Sequence, residues 1–217
     1  MPPPGADDRE RRSRWLPSPR LSRLLPVVAL LAGALGCAAT RVDTQWRDPG
    51  VTAQDLAFRR VIVIAEVENE TTRRTAEDEL VRVLAASPRA KARGMQVAPS
   101  YPLITQQELS DVTQMRAKME PAGFDGAVVM RLIGSDERVT HVPGRYEGFY
   151  GMAVNYDPGY TRVDRIVRIE TSVYSIPEGK RLWSGVTRTM NPSDVPDLVG
   201  EVARAVGAEL TTQGLLP

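Results

Sequence analysis

Four groups of residues have the types and spacing to do chemistry. Cys37 is the only cysteine of the 217 residues, so its thiol has no internal disulfide partner. His141 is the only histidine. A metal site would need other ligands beside it, and no His/Cys/carboxylate cluster surrounds it, so it reads as a structural or solvent-facing side chain. Glu66, Glu68 and Glu70 alternate at the end of an apolar run. On a continuing strand they would share one face, and mutual repulsion would raise a carboxyl pKa. The commoner reading of such a run is the solvated exit of a strand. The fourth group is aromatic. Residues 146–160 hold four of the six Tyr and one of the three Phe, namely Tyr146, Phe149, Tyr150, Tyr156 and Tyr160. Such rings offer a large contact area with few torsions to freeze, between glycines that let the backbone adapt. No Gly-x-Ser-x-Gly elbow, Gly-x-Gly-x-x-Gly or Walker A loop occurs. The sequence therefore assigns no catalytic residue, no metal ligand and no cofactor.

The position of Cys37 says what its thiol is for. An arginine-rich start is followed by an apolar run from Leu24 to Gly36. That run fits the ~7–15 residues of a signal-peptide h-region and falls short of the ~20 residues of a membrane-spanning helix. Polar sequence follows it. Ala34-Leu35-Gly36-Cys37 resembles a lipobox, with Ala34 and Leu35 in the reverse of the usual order. The implied chemistry is diacylglyceryl transfer to the thiol, then cleavage between Gly36 and Cys37. Two or three acyl chains anchor stably, where a single chain is marginal. The expected location is the cell envelope, lipid-anchored, at the outer membrane and facing the periplasm.

Charge separates leader from mature chain. The first 36 residues hold six arginines and three acids. Removing them from totals of 28 basic and 27 acidic residues leaves 22 and 24, a net charge of −2. A near-neutral domain lacks the electrostatic footprint of a nucleic-acid binder. Hydrophobic residues at 42% and charged residues at 25% exclude disorder as the default for the whole chain.

The elements that must position these residues follow from periodicity. The expected organisation is a signal peptide over 1–36, a lipidated tether over 37–57 and one domain over 58–217. Arg60–Val67 reads as a strand buried on both faces. Thr72–Ala86 has helical spacing and stops at Ser87-Pro88. A basic linker over 89–94 leads to a short strand, Met95–Ala98. Thr105 and Glu108 have the spacing of a capping box and open a helical region to about Met119. Ala127–Ile133 and Val163–Tyr174 read as strands, with a Gly-, Pro- and Tyr-rich excursion over 134–161 between them. Pro177-Glu178-Gly179-Lys180 is a turn into a hairpin strand over 182–187. A last helix from Ser193 presents Val195, Leu198, Val199, Val202, Val206 and Leu210 on one face. The fold class is α/β, a single α/β sandwich with a mixed sheet in the order β-α-β-α-β-β-β-α.

Three features recur in uncharacterised bacterial lipoproteins. They are the apolar first strand, the entry Gly123-Phe124-Asp125-Gly126-Ala127-Val128-Val129, and the turn Glu178-Gly179-Lys180-Arg181-Leu182-Trp183-Ser184. The element order also resembles the periplasmic domain of the curli-secretion lipoprotein family and the N-terminal domain of the Tol-system propeller protein. The likeness covers most of residues 58–213 and implies a fold, with no functional residue to carry over. The expectation is a non-catalytic envelope lipoprotein. It would bind an envelope protein or glycan through Tyr146, Phe149, Tyr150, Tyr156 and Tyr160. The alternatives are an envelope hydrolase using carboxylates such as Glu66 and Asp125, or a small-ligand sensor with a cleft beside the aromatic segment.

Overall fold

The computed structural model describes residues 40–149 and 152–216. One six-stranded mixed sheet organises them, in the order β1-β6-β5-β4-β2-β3. The strands are β1 (Thr40–Arg47), β2 (Arg60–Glu66), β3 (Gln96–Pro99), β4 (Gly126–Phe149), β5 (Met152–Ser175) and β6 (Lys180–Met190). The helices are α1 (Glu70–Ala86), α2 (Pro88–Arg93), α3 (Val112–Met119) and α4 (Val195–Thr212), with a 3-10 turn at Gln107–Ser110. β2 runs parallel to β3 and β4, while β4, β5, β6 and β1 pair antiparallel.

Alternation along β2 builds two cores. Val61, Val63 and Ala65 join one cluster with Leu80 of α1 and Val199, Val202, Val206 and Leu210 of α4. Ile62 and Ile64 join the other, with Met115 and Met119 of α3, Phe124 and Ile104. Both faces of β2 are thus covered, as its uninterrupted apolar run requires. The crossover from β2 to β3 runs outward along the sheet and the one from β3 to β4 runs back across it. Crossovers of one hand must then place α1 and α3 on opposite faces. α3 covers the β2–β4 side only. Beyond it, the open face carries cross-strand ion pairs, among them Asp43–Arg188 at 2.7 Å and Glu66–Arg131 at 2.5 Å. Cross-strand charged pairs suit a face that looks at water.

Helix ends follow their caps. Asn69 accepts from Thr72 N at 2.9 Å to open α1, and Asp194 accepts from Asp197 N at 2.8 Å to open α4. Ser87 closes α1 and accepts from Ala90 N at 3.2 Å to open α2. The basic segment read as a linker is therefore a short helix, ended by Gly94 in the left-handed region. The capping-box contact of Thr105 N with Glu108 forms at 2.9 Å, but it serves only the 3-10 turn. Asp111 interrupts the run and caps α3 separately.

Two further expectations need correcting. The segment read as a tether contains β1, which pairs along β6 from Thr40 opposite Thr189 to Arg47 opposite Trp183. β1 has no clean alternation of its own and carries a bulge between Val42 and Thr44. Its conformation is supplied by the open edge of β6. Trp46, placed by this strand, has Arg181 over its ring at 5.1 Å. The excursion over 134–161 is likewise not a loop. β4 and β5 continue through it as a two-stranded ribbon, paired from Glu137 opposite Arg165 to Phe149 opposite Met152 with a register shift between Glu147 and Gly148.

Candidate functional site

The ribbon is set apart by what it lacks. β2 leaves β4 at Arg131, and β6 leaves β5 at Ile166. Beyond those points, among the described residues, each ribbon strand has the other as its only strand partner, so both outer edges present N–H and C=O groups without a strand partner. At ~3.3 Å per residue the ribbon runs on the order of 40 Å. Its prolines are compatible with this, because a strand without an outer neighbour needs no outward N–H donor. Its glycines are required. A side chain on Gly144 would meet Asp157 O at 2.5 Å. Gly159 has φ +72°, and a side chain there would meet Val142 O at 2.5 Å.

The ribbon base is clasped to the end of β6. Asn191, with φ +50°, accepts from Arg165 N at 2.7 Å through its side chain, while its own N–H donates to Arg165 O at 2.8 Å. The Asn191 amide also donates to Asp164 at 2.8 Å. That hydrogen bond, with Arg162 beside it, holds the Asp164 carboxyl below its ordinary value. Past the clasp, apolar side chains face water. Val139 and Val163 stand opposite each other at 65% and 54% exposure, and Tyr160, opposite Val142, is 58% exposed. In the ladder Tyr146 lies opposite Tyr156, and Phe149 opposite Met152. Tyr150 lies outside the described residues, as do Gly36 and Cys37.

The other sequence candidates are dispersed. Asp125 accepts from the N–H groups of Arg59 and Arg60 at 2.8 and 2.9 Å, at the start of β2. Glu66 sits at the far end of that strand and pairs with Arg131. A seven-residue strand separates the two carboxylates by on the order of 20 Å, so the pair offered for a hydrolase is not brought together. Glu70 lies in the first turn of α1, paired with Arg74 at 2.8 Å, and Glu68 is an exposed turn residue. The three glutamates thus share no strand face. His141 is exposed on the ribbon, 3.4 Å from the Thr161 hydroxyl. Among the described residues no group of three or more His, Cys, Asp or Glu could hold a metal, and no helix is long and apolar enough to cross a membrane.

Two features escaped the sequence. One is a fully buried ion pair in α1, Arg73 Nε to Glu77 at 2.9 Å. Arg73 also donates to the Ser100 hydroxyl and to Ile104 O. Glu77 accepts from the N–H groups of Ala65, Ser100 and Tyr101. With no solvent access, this network pins α1 to β2 and to the chain after β3. The i, i+4 spacing was visible, but helical pairs of that kind are usually solvent-exposed. The other is a groove of about 900 Å³ between α1 and α4, floored by Val61, Val128 and Val173. A smaller cleft of about 400 Å³ lies where the same two helices begin, beside the ribbon base, and includes Ser135, Arg165 and Pro192. Neither cavity is lined by a residue of the aromatic segment 146–160, beside which a cleft was expected.

Together, one covered sheet and one free ribbon define the protein's class as an α/β sandwich with a protruding β-hairpin. No protein-family model matches the chain, and neither does any curated protein. Solved structures similar to it include a dodecamer of PelC from Paraburkholderia phytofirmans, at 13% identity and TM-score 0.40 over 77% of this chain and 94% of that one. The L103M variant of that dodecamer gives 11% identity and TM-score 0.42 over 80% and 95%. Lipoprotein GNA1162 from Neisseria meningitidis gives 14% identity and TM-score 0.35 over 70% and 98%.

Proposed function

We propose that this chain is a non-catalytic envelope lipoprotein, held to the membrane through Cys37, whose β4–β5 ribbon binds another envelope protein. The observation that carries the reading is the ribbon itself. A two-stranded hairpin is marginally stable in water, and an exposed strand edge is a template for pairing with another chain. A partner strand added to either edge would satisfy main-chain groups and cover Val139, Val163 or Tyr160. Strand addition takes its affinity from main-chain hydrogen bonds and its specificity from alternate side chains. The sheet body acts as the mount for the ribbon.

Site-specific photocrosslinking in cells tests this. A crosslinker in place of Tyr160 should give a discrete protein adduct. One in place of Ala85, an exposed residue at the end of α1, should give none. Equal adducts from both positions, or none from Tyr160, would refute the ribbon as the binding element. The anchor is tested separately, by mass spectrometry of the mature N-terminus and by Cys37→Ser, which should move the protein to the soluble fraction.

A further inference from the structure

We propose that the groove between α1 and α4 binds a single-chain amphiphile with an anionic head, a long-chain carboxylate. This inference is independent of the ribbon reading. The groove volume of about 900 Å³ lies within the ~300–1,000 Å³ of small-molecule sites, and its lining is mostly apolar, as such sites are. It stays open because α4 turns small residues toward it. Gly200, Ala203 and Gly207 line it, and a Cβ built on Gly207 meets nothing within 4 Å. Two packed helices spaced by such residues leave room for one extended chain over the sheet floor.

Charge at the rim says which amphiphile fits. Near the start of α4 the lining carries three acids, Glu79, Asp194 and Asp197, against Arg82 and Arg204. Asp194 caps the helix and Asp197 accepts from Ser193. Arg204 is exposed and acts on Asp197, while Arg82 pairs with Glu79 at 2.5 Å. At the opposite end Arg89 stands differently. It is half-buried, donates only to the carbonyls of Leu56 and Leu215, and has no carboxylate within 4.0 Å among the described residues. Burial lowers its pKa, with Arg93 adding to the effect. A guanidinium offers five N–H donors in a fork that matches a carboxylate, and most of these remain unused here. An anionic head at Arg89 would match that charge, with the tail running along Leu84, Val128 and Leu210. The acidic end would repel the reverse orientation.

Titration of the purified protein with cis-parinaric acid, a fluorescent long-chain carboxylate, and with its methyl ester tests the site. Saturable binding of the acid is expected. Arg89→Gln should weaken the acid about tenfold, the loss expected for one charge-assisted hydrogen bond, and leave the ester unchanged. Gly207→Leu should abolish binding of both without lowering Tm, because it fills the groove and replaces a glycine inside a helix. Absence of saturable binding would overturn the proposal. So would retained binding in Gly207→Leu, or equal weakening of acid and ester in Arg89→Gln.

Discussion

β4 and β5 are each two strands in one. Their inner halves, Gly126–Arg131 and Ile166–Ser175, have strands on both sides and a helix layer above. Their outer halves keep the same antiparallel ladder and lose everything else. Val173 and Met130 on the inner halves are 4% and 6% exposed, whereas Val139 and Val163 on the outer halves are more than half exposed. The hydrogen-bond ladder is thus common to both regions, and burial is what separates them. Because exchanging water for main-chain partners yields little net energy, the inner half should carry the stability and the outer half should be free to serve recognition.

The comparison breaks most visibly in the body. Arg73→Ala should cost about 3–5 kcal/mol, because it leaves Glu77 charged and enclosed without its cation. Arg73→Met with Glu77→Gln, which removes both charges and keeps an acceptor for the N–H groups of Ala65, Ser100 and Tyr101, should recover part of that loss, and urea unfolding of the three proteins would show it. A single variant as stable as the parent would mean that the pair is not buried in solution. Leu80→Ala, at 2% exposure between α1 and the sheet, should cost about 2–5 kcal/mol.

Shortening the ribbon should have a far smaller effect. Joining Arg138 to Asp164 by a two-residue turn removes no member of either core cluster and keeps the Asn191 clasp. The expected change in unfolding free energy is within about 0.5 kcal/mol, as for surface changes generally. A loss of several kcal/mol would show the ribbon to be part of the body. The smallest effect expected is a local pH dependence. Lys118 and the Thr105 N–H hold Glu108 down to about 2. Its folded pKa is therefore below the ordinary value of ~4.3. Its contribution is complete above that ordinary value and is lost as pH falls through about 2. Lys118→Met should flatten the acid limb of a melting-temperature profile over that window.

How much of this was legible in the sequence follows the same division. β2, α1, the turn before β6 and α4 announce themselves because burial writes a period into the chain: Val61 to Ala65, then Val199, Val202, Val206 and Leu210. β1 and the ribbon write no such period, since their pairing faces water on at least one side. Gly144, Gly159 and Pro158 punctuate the outer strands and read locally as loop chemistry. Only the partner strand, a long-range fact, makes them compatible with a ladder. The aromatic segment therefore lies on a ladder, where its glycines and prolines suggest an irregular loop. Arg89 and the groove were hidden for a related reason, because their placement depends on α4, more than a hundred residues away.

Hydrogen exchange along residues 137–165 tests the central claim most directly. It should be measured on the purified protein and on the protein retained in native envelopes. The ribbon amides should exchange rapidly in the purified protein, far ahead of those of β2 and the inner half of β5, and become protected in the envelope while the body is unchanged. Ribbon amides as protected as the body in the purified protein, or unprotected in both settings, would contradict it.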